Sequence, residues 1–155
     1  MSKGFFNVPV ASCEIVKSYK PGSKERKEVL SVYKKMYNTK IDIPMYIGSK
    51  EVFTNDKRNL RPPHDHQHIV GTANFGTEKE VKEAISAALK ARVKWSQMRW
   101  EHRASIFLKA ADLLAGPFRS KMNASTMIAQ SKNVFQAEID AACELIDFLK
   151  FNVQY

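Results

Sequence analysis

Cysteine is scarce in this 155-residue sequence, which contains only Cys13 and Cys143. Two thiols in a chain this long cannot make the disulfide framework that staples small secreted domains. Glycine is also sparse, at six residues, and no G-x-G-x-x-G or G-x-x-x-x-G-K-[ST] phosphate loop occurs, nor an H-E-x-x-H metal motif. No apolar run reaches the roughly 18 residues that a membrane-spanning helix needs, which excludes a transmembrane reading. The opening residues, Met1-Ser2-Lys3-Gly4-Phe5-Phe6-Asn7-Val8-Pro9, hold one basic residue and no apolar stretch of about 7–15 residues, unlike a secretory signal. A mitochondrial transit segment is Arg-rich and acid-poor, whereas here the first arginine is Arg26 and Glu14 precedes it. The expected compartment is the cytoplasm.

What is present has the balance of a soluble globular domain. Hydrophobic residues make up 44% and charged residues 26%, and the length suits one domain with its own core. The formal charge is +9, which raises the question of nucleic acid. The excess is concentrated early: residues 1–60 hold 12 Lys/Arg against 6 Asp/Glu. Acids are interspersed, and no basic stripe with stacking aromatics or recognisable motif appears, so a solvated surface is the better reading.

Residues 1–22 read as a polar leader closed by the turn signal Pro21-Gly22. Ser23 can N-cap a helix to about Tyr37, with Val29, Leu30, Tyr33, Met36 and Tyr37 forming its apolar stripe. From Ile41 the period shortens. Ile43–Ile47 and Lys50–Thr54 read as two short strands around Gly48-Ser49, with Pro44 marking an edge or a strand start. Residues 55–68 read as loop, and His68–Phe75 as a third strand. Thr77 and Glu80 make a capping box, opening a helix whose face carries Val81, Ala84, Ile85, Ala88 and Leu89, continued by Trp95. A further helix spans about Trp100 to Ala115, with Ile106, Phe107, Ala110, Leu113 and Leu114 expected to face inward. Gly116-Pro117 breaks it and allows another helix to start. The last helix runs from about Val134 to the end and is apolar nearly all round, with Ala137, Ala141, Leu145 and Phe148 on one side and Ile139, Cys143 and Ile146 on the other. Such a helix must be covered on several sides, yet it reaches Tyr155 without a stop signal. The sequence therefore reads as mostly α with two or three short N-terminal strands, and as unfinished.

Three groups invite a chemical reading. His64, His66 and His68 alternate along an extended segment, so their imidazoles could converge on a metal, but no Cys/His cluster elsewhere completes the ligand set. Cys143 sits among Ala141, Ala142 and Leu145, an apolar setting that raises a thiol pKa and suits a core cysteine better than a nucleophile. Asp140, Glu144 and Asp147 fall along one stripe of the last helix. From spacing alone the stripe reads as a solvated face. The functional alternative is a negative edge for a cationic substrate group, for which Glu144, nearest the apolar side, is best placed.

Longer segments carry a resemblance. Arg103-Ala104-Ser105-Ile106-Phe107-Leu108-Lys109-Ala110-Ala111-Asp112-Leu113-Leu114-Ala115-Gly116-Pro117, then Gln130-Ser131-Lys132-Asn133, then Gln136-Ala137-Glu138-Ile139-Asp140-Ala141-Ala142-Cys143-Glu144-Leu145-Ile146-Asp147-Phe148, resemble the N-terminal region of the L-glutamate γ-semialdehyde (1-pyrroline-5-carboxylate) dehydrogenases, a branch of the aldehyde dehydrogenase superfamily. Glu14–Ser23 and Pro63–His68 fit the same branch. The resemblance implies an α/β parent fold, of which residues 23–155 are the N-terminal part of the NAD-binding domain, incomplete at its C-terminal end. It implies an NAD-dependent oxidoreductase of proline catabolism that converts glutamate γ-semialdehyde to glutamate and is a homo-oligomer when complete. The nucleophile segment Gly-Gln-x-Cys, the catalytic glutamate and the NAD-binding strands of that family are absent from these residues, so no catalytic, cofactor-binding or metal-binding residue is assigned. The one position carried over is Glu144, at the substrate site, where a carboxylate suits an α-ammonium group; Asp140 and Asp147 are expected to be structural. The isolated chain is expected to be inactive and, because its last helix would expose a large apolar patch, poorly soluble. The alternative is a stand-alone helical protein-interaction module, with no nucleic-acid or membrane partner.

Overall fold

The computed structural model describes residues 6–155. Helix α1 (Lys24–Asn38) opens where Ser23 caps the Arg26 amide through its hydroxyl, as expected of a serine ahead of an apolar periodicity. Five short strands follow: β1 (Ile41–Ile43), β2 (Met45–Ile47), β3 (Lys50–Val52), β4 (Lys57–Leu60) and β5 (Gly71–Asn74). The rest is helical: α2 (Glu78–Gln97), α3 (Trp100–Ala115), α4 (Arg119–Gln130), α5 (Val134–Ala137) and α6 (Glu144–Gln154), with a π-helical turn, Glu138–Cys143, joining the last two. The chain is mostly α with short N-terminal strands, as the sequence implied.

The strands make two small sheets. In one, β5 lies between β1 (parallel) and β4 (antiparallel); in the other, β2 and β3 form a hairpin about Gly48, whose φ of 62° is the left-handed turn that glycine favours. Gly71 is required for a different reason. It stands opposite Ile41, and a Cβ there would lie 2.3 Å from the Ile41 carbonyl oxygen.

Three expectations need correction. Pro44 splits the first expected strand, so β1 and β2 enter different sheets; proline has no N–H to carry a ladder across that point. The expected loop 55–68 contains β4, a polar strand (Lys57, Arg58, Asn59, Leu60) that is ordered by pairing with β5 and has no hydrophobic alternation to reveal it. In α3, Ile106, Phe107 and Leu113 are exposed, and the buried residue is Ala111. Helix α3 packs on α6, with Leu108 and Leu114 half-buried.

Helix α2 starts at the expected capping box, Thr77 with Glu80. Its face of Val81, Ile85, Leu89 and Val93 is bare. The core lies elsewhere, where α4 packs on α1 and where α6 and the π-turn meet α3 and α4. Its fully buried residues include Val29, Ala124, Ala137, Ala142 and Ile146.

Candidate functional site

The last helical stretch holds all the carboxylates that the sequence singled out, and the structure separates their roles. Asp140 pairs with Lys132 at 2.7 Å. Asp147 accepts the backbone N–H of Glu14 at 2.6 Å, which ties the leader to α6. Glu144 is exposed and has no hydrogen-bond or ion-pair partner among the described residues. Phe148, one turn further along α6, is exposed with it; an i, i+4 spacing places the two on one face. A bare carboxylate beside a bare phenyl ring is an arrangement that can hold an organic cation, the charge by ion pairing and the carbon skeleton by contact.

Behind this face lies a buried polar cluster that sequence reasoning missed. Glu138, the first residue of the π-turn, is fully buried. Its carboxylate accepts from Arg119 Nε at 3.1 Å and from Arg119 Nη2, from Asn123 Nδ2 at 2.7 Å, from the Tyr19 hydroxyl at 2.8 Å and from the Lys17 amide at 2.8 Å. Arg119 reaches on to Glu14 at 2.6 Å and to the Ile15 carbonyl at 2.6 Å, and Lys150 closes on Glu14 at 2.8 Å. Burial acts to raise the Glu138 carboxyl, but the hydrogen bonds, led by Arg119, outweigh it and hold the group at about 2. Arg119 is correspondingly held above its ordinary range. The cluster joins the leader to α4 and the π-turn. The available signal was the placement of Arg119, Asn123 and Glu138 among small residues, which marks polar groups on packed helix faces.

Cys143 is buried against this cluster, with Arg119 Nη2 at 3.3 Å from its sulfur. Burial, with the Glu138 charge, pushes the thiol up to about 11, leaving little thiolate at neutral pH. Of the three alternating histidines, His64 and His68 are tied to their neighbours and His66 is exposed. His68 stacks on Tyr37 and bonds the Tyr37 carbonyl at 2.6 Å, while His64 lies between Ser131 and Tyr33. Among the described residues no group of three His, Cys, Asp or Glu gathers to hold a metal ion.

Two further features bear on cofactors and compartment. The β5–α2 connection could in principle cradle a phosphate at the helix N-terminus, but its Thr77 amide donates to Glu80 Oε2 at 2.8 Å. A carboxylate already fills the position an anion would take at this helix start. An apolar cleft of about 690 Å³ opens between α1, β1, β4 and α4, and Glu144 does not line it. No helix among the described residues is long and apolar enough to cross a membrane.

Comparison with known proteins matches residues 53–155 to the aldehyde dehydrogenase family. Delta-1-pyrroline-5-carboxylate dehydrogenase of Agaricus bisporus is 43% identical over 151 residues, which is 97% of this chain and 28% of that protein. The human mitochondrial delta-1-pyrroline-5-carboxylate dehydrogenase is 42% identical over 142 residues, 92% of this chain and 25% of that protein. Among solved structures, the Mycobacterium tuberculosis delta-pyrroline-5-carboxylate dehydrogenase bound with NAD aligns over 99% of this chain and 29% of its own, with 40% identity and a TM-score of 0.96. The chain thus spans little more than a quarter of the length of these relatives. These matches leave the stand-alone helical interaction module without support.

Proposed function

The chain belongs to the aldehyde dehydrogenase family, and from that premise we propose that it is the N-terminal segment of an NAD-dependent L-glutamate γ-semialdehyde (delta-1-pyrroline-5-carboxylate) dehydrogenase. The observation that carries this reading is the superposition of nearly the whole chain on a dehydrogenase of that kind. In the complete enzyme, pyrroline-5-carboxylate opens by hydrolysis to the semialdehyde, which is oxidised to glutamate. NAD, bound through residues other than these, supplies the hydride acceptor. Residues 23–155 are the start of the NAD-binding domain, and 1–22 its leader.

Within that enzyme, Glu144 receives the α-ammonium group of the substrate. Its lack of a partner among the described residues supports this role, as does the pairing of both acidic neighbours elsewhere. A carboxylate with a salt-bridge partner already in place would have to give it up to bind substrate; Glu144 does not. The adjacent Phe148 ring offers contact to the substrate's methylene carbons. The nucleophile lies outside these residues: Cys143 is buried as a thiol and Cys13 sits in the leader. The exposed α2 stripe supports burial against further chain or a second copy in a homo-oligomer. A cytoplasmic location goes with the same proposal, whereas the name of the human relative places that protein in mitochondria; cell fractionation that puts the protein in an organelle pellet would contradict it.

Turnover tests the function. A dehydrogenase carrying these residues as its N-terminal part should form NADH from pyrroline-5-carboxylate, and the purified 155-residue chain should form none. Activity in the short chain, or none in the long one, would overturn the proposal.

A further inference from the structure

Ala137 is fully buried, and Glu144 is exposed. The two are seven residues apart, and an α-helix drifts only about 20° over seven residues. An unbroken α-helix would therefore aim Glu144 into the core beside Ala137, and would place Leu145 and Phe148 on the same inward face. The observed helix does otherwise. Ala142, Cys143 and Ile146 are buried, while Glu144, Leu145 and Phe148 are exposed.

The difference arises in the π-turn Glu138–Cys143. The Glu144 amide donates to the carbonyl of Ile139, five residues back, where an α-helix would use the fourth. A π-turn winds one extra residue into the helix, so everything after it is turned by about one residue, roughly 100°, from its α-helical position. Both ends of the turn are fixed. Glu138 is held by Arg119, Asn123, Tyr19 and the Lys17 amide, and Ile146 is sealed in the core at 0% exposure. Between these two anchors there is one residue more than an α-helix can take up.

We propose that the π-turn is a positioning device for substrate recognition: its extra residue turns Glu144 out of the core and into the substrate site. The role in recognition rests on the reading of Glu144 given above, whereas the geometric part stands without it. Seven-residue spacing would otherwise bury an unpaired carboxylate, which a fold avoids at high cost. The clamp of Glu138 and Ile146 makes the outward state the one compatible with the core.

The test exploits an asymmetry that an ordinary helix lacks. Deleting Ala141 removes the extra residue, so the segment can become plain α-helix with Glu144 still outward. Inserting one alanine after Ala141 demands a still wider turn and breaks the phase. Two reporters in a Cys13→Ser background, Phe148→Cys and Ile146→Cys, read that phase by maleimide labelling of the 155-residue chain. In the parent and in the deletion, the thiol at 148 should label at least about tenfold faster than the thiol at 146, whose reaction awaits local opening. In the insertion that ratio should fall towards one or invert. Loss of the ratio in the deletion, or its retention in the insertion, would overturn the proposal. In the complete dehydrogenase the deletion should keep KM for pyrroline-5-carboxylate, and the insertion should raise it. An unchanged KM in the insertion, with the labelling pattern as expected, would refute the recognition role and leave the geometric claim standing.

Discussion

Arg119 and Glu138, on separate helices, form a buried ion pair in which the guanidinium donates from both Nε and Nη2 to the carboxylate. Each also holds part of the leader, Arg119 through Glu14 and the Ile15 carbonyl, Glu138 through Tyr19 and the Lys17 amide. Removing Arg119 leaves Glu138 buried without a cationic partner. Removing Glu138 leaves Arg119 with Glu14 as its remaining counter-charge and its Nε donor unpaired. Glu138→Gln or Arg119→Met should therefore each destabilise the fold by about 3–5 kcal/mol. Replacing both, as Arg119→Met with Glu138→Gln, should cost less than the two single losses added together. Denaturant melts of the four proteins check this; additive losses would show that the pair is not coupled.

Acid should act through the same carboxylate. The Glu138 carboxyl is held at about 2 in the fold, against an ordinary 4.5, so its ionised form favours the folded state. That stability is fully present above the unfolded value and is lost as pH falls from about 4.5 through about 2. The stability of the parent should decline over this window more steeply than that of Glu138→Gln. Parallel acid titrations of the two proteins would exclude Glu138 as the main acid-sensitive group.

The two cysteines should separate cleanly. Cys13 is exposed, and Cys143 is buried with its thiol pushed up to about 11. Iodoacetamide at neutral pH should modify Cys13 alone, with Cys143 following only after denaturation; mass spectrometry of the labelled peptides reads this directly. Fast modification of Cys143 in the folded chain would reopen it as a nucleophile.

Val81, Ile85, Leu89 and Val93 repeat every fourth residue along α2 and are all exposed, making an aliphatic stripe of the kind that associates. The purified 155-residue chain should self-associate and bind hydrophobic dyes. Ile85→Lys with Leu89→Glu should reduce both without altering helix content, as judged by sedimentation and circular dichroism. A monodisperse parent chain would contradict this.

Much of this fold is legible in the sequence. The Ser23 cap and the Thr77–Glu80 capping box follow from local rules in which side chains satisfy nearby amides, and Gly116-Pro117 marks where α3 stops. What escapes is set at a distance. Strand β4 exists because β5 pairs with it, and Lys57, Arg58 and Asn59 carry no alternation to announce it. The last helix reads as apolar nearly all round, which does not say which side is covered; the π-turn sets the phase that buries Ile146 and leaves Leu145 and Phe148 exposed. The apolar face of α2 is plain in the sequence, but among the described residues nothing covers it. For the site, the carboxylate stripe was visible, whereas the singling out of Glu144 depends on Lys132 and the Glu14 amide occupying its neighbours.

The central claim is that Glu144 binds the cationic end of the substrate in a glutamate γ-semialdehyde dehydrogenase. Its most direct test is the kinetics of Glu144→Gln in the complete enzyme, with pyrroline-5-carboxylate and with a simple aldehyde that lacks an amino group. Losing a charge-assisted contact of about 1.5–3 kcal/mol should lower kcat/KM for pyrroline-5-carboxylate roughly ten- to a hundredfold, mainly through KM. The simple aldehyde should be turned over as before. Equal kcat/KM for pyrroline-5-carboxylate in parent and variant, or an equal loss for both aldehydes, would contradict the claim.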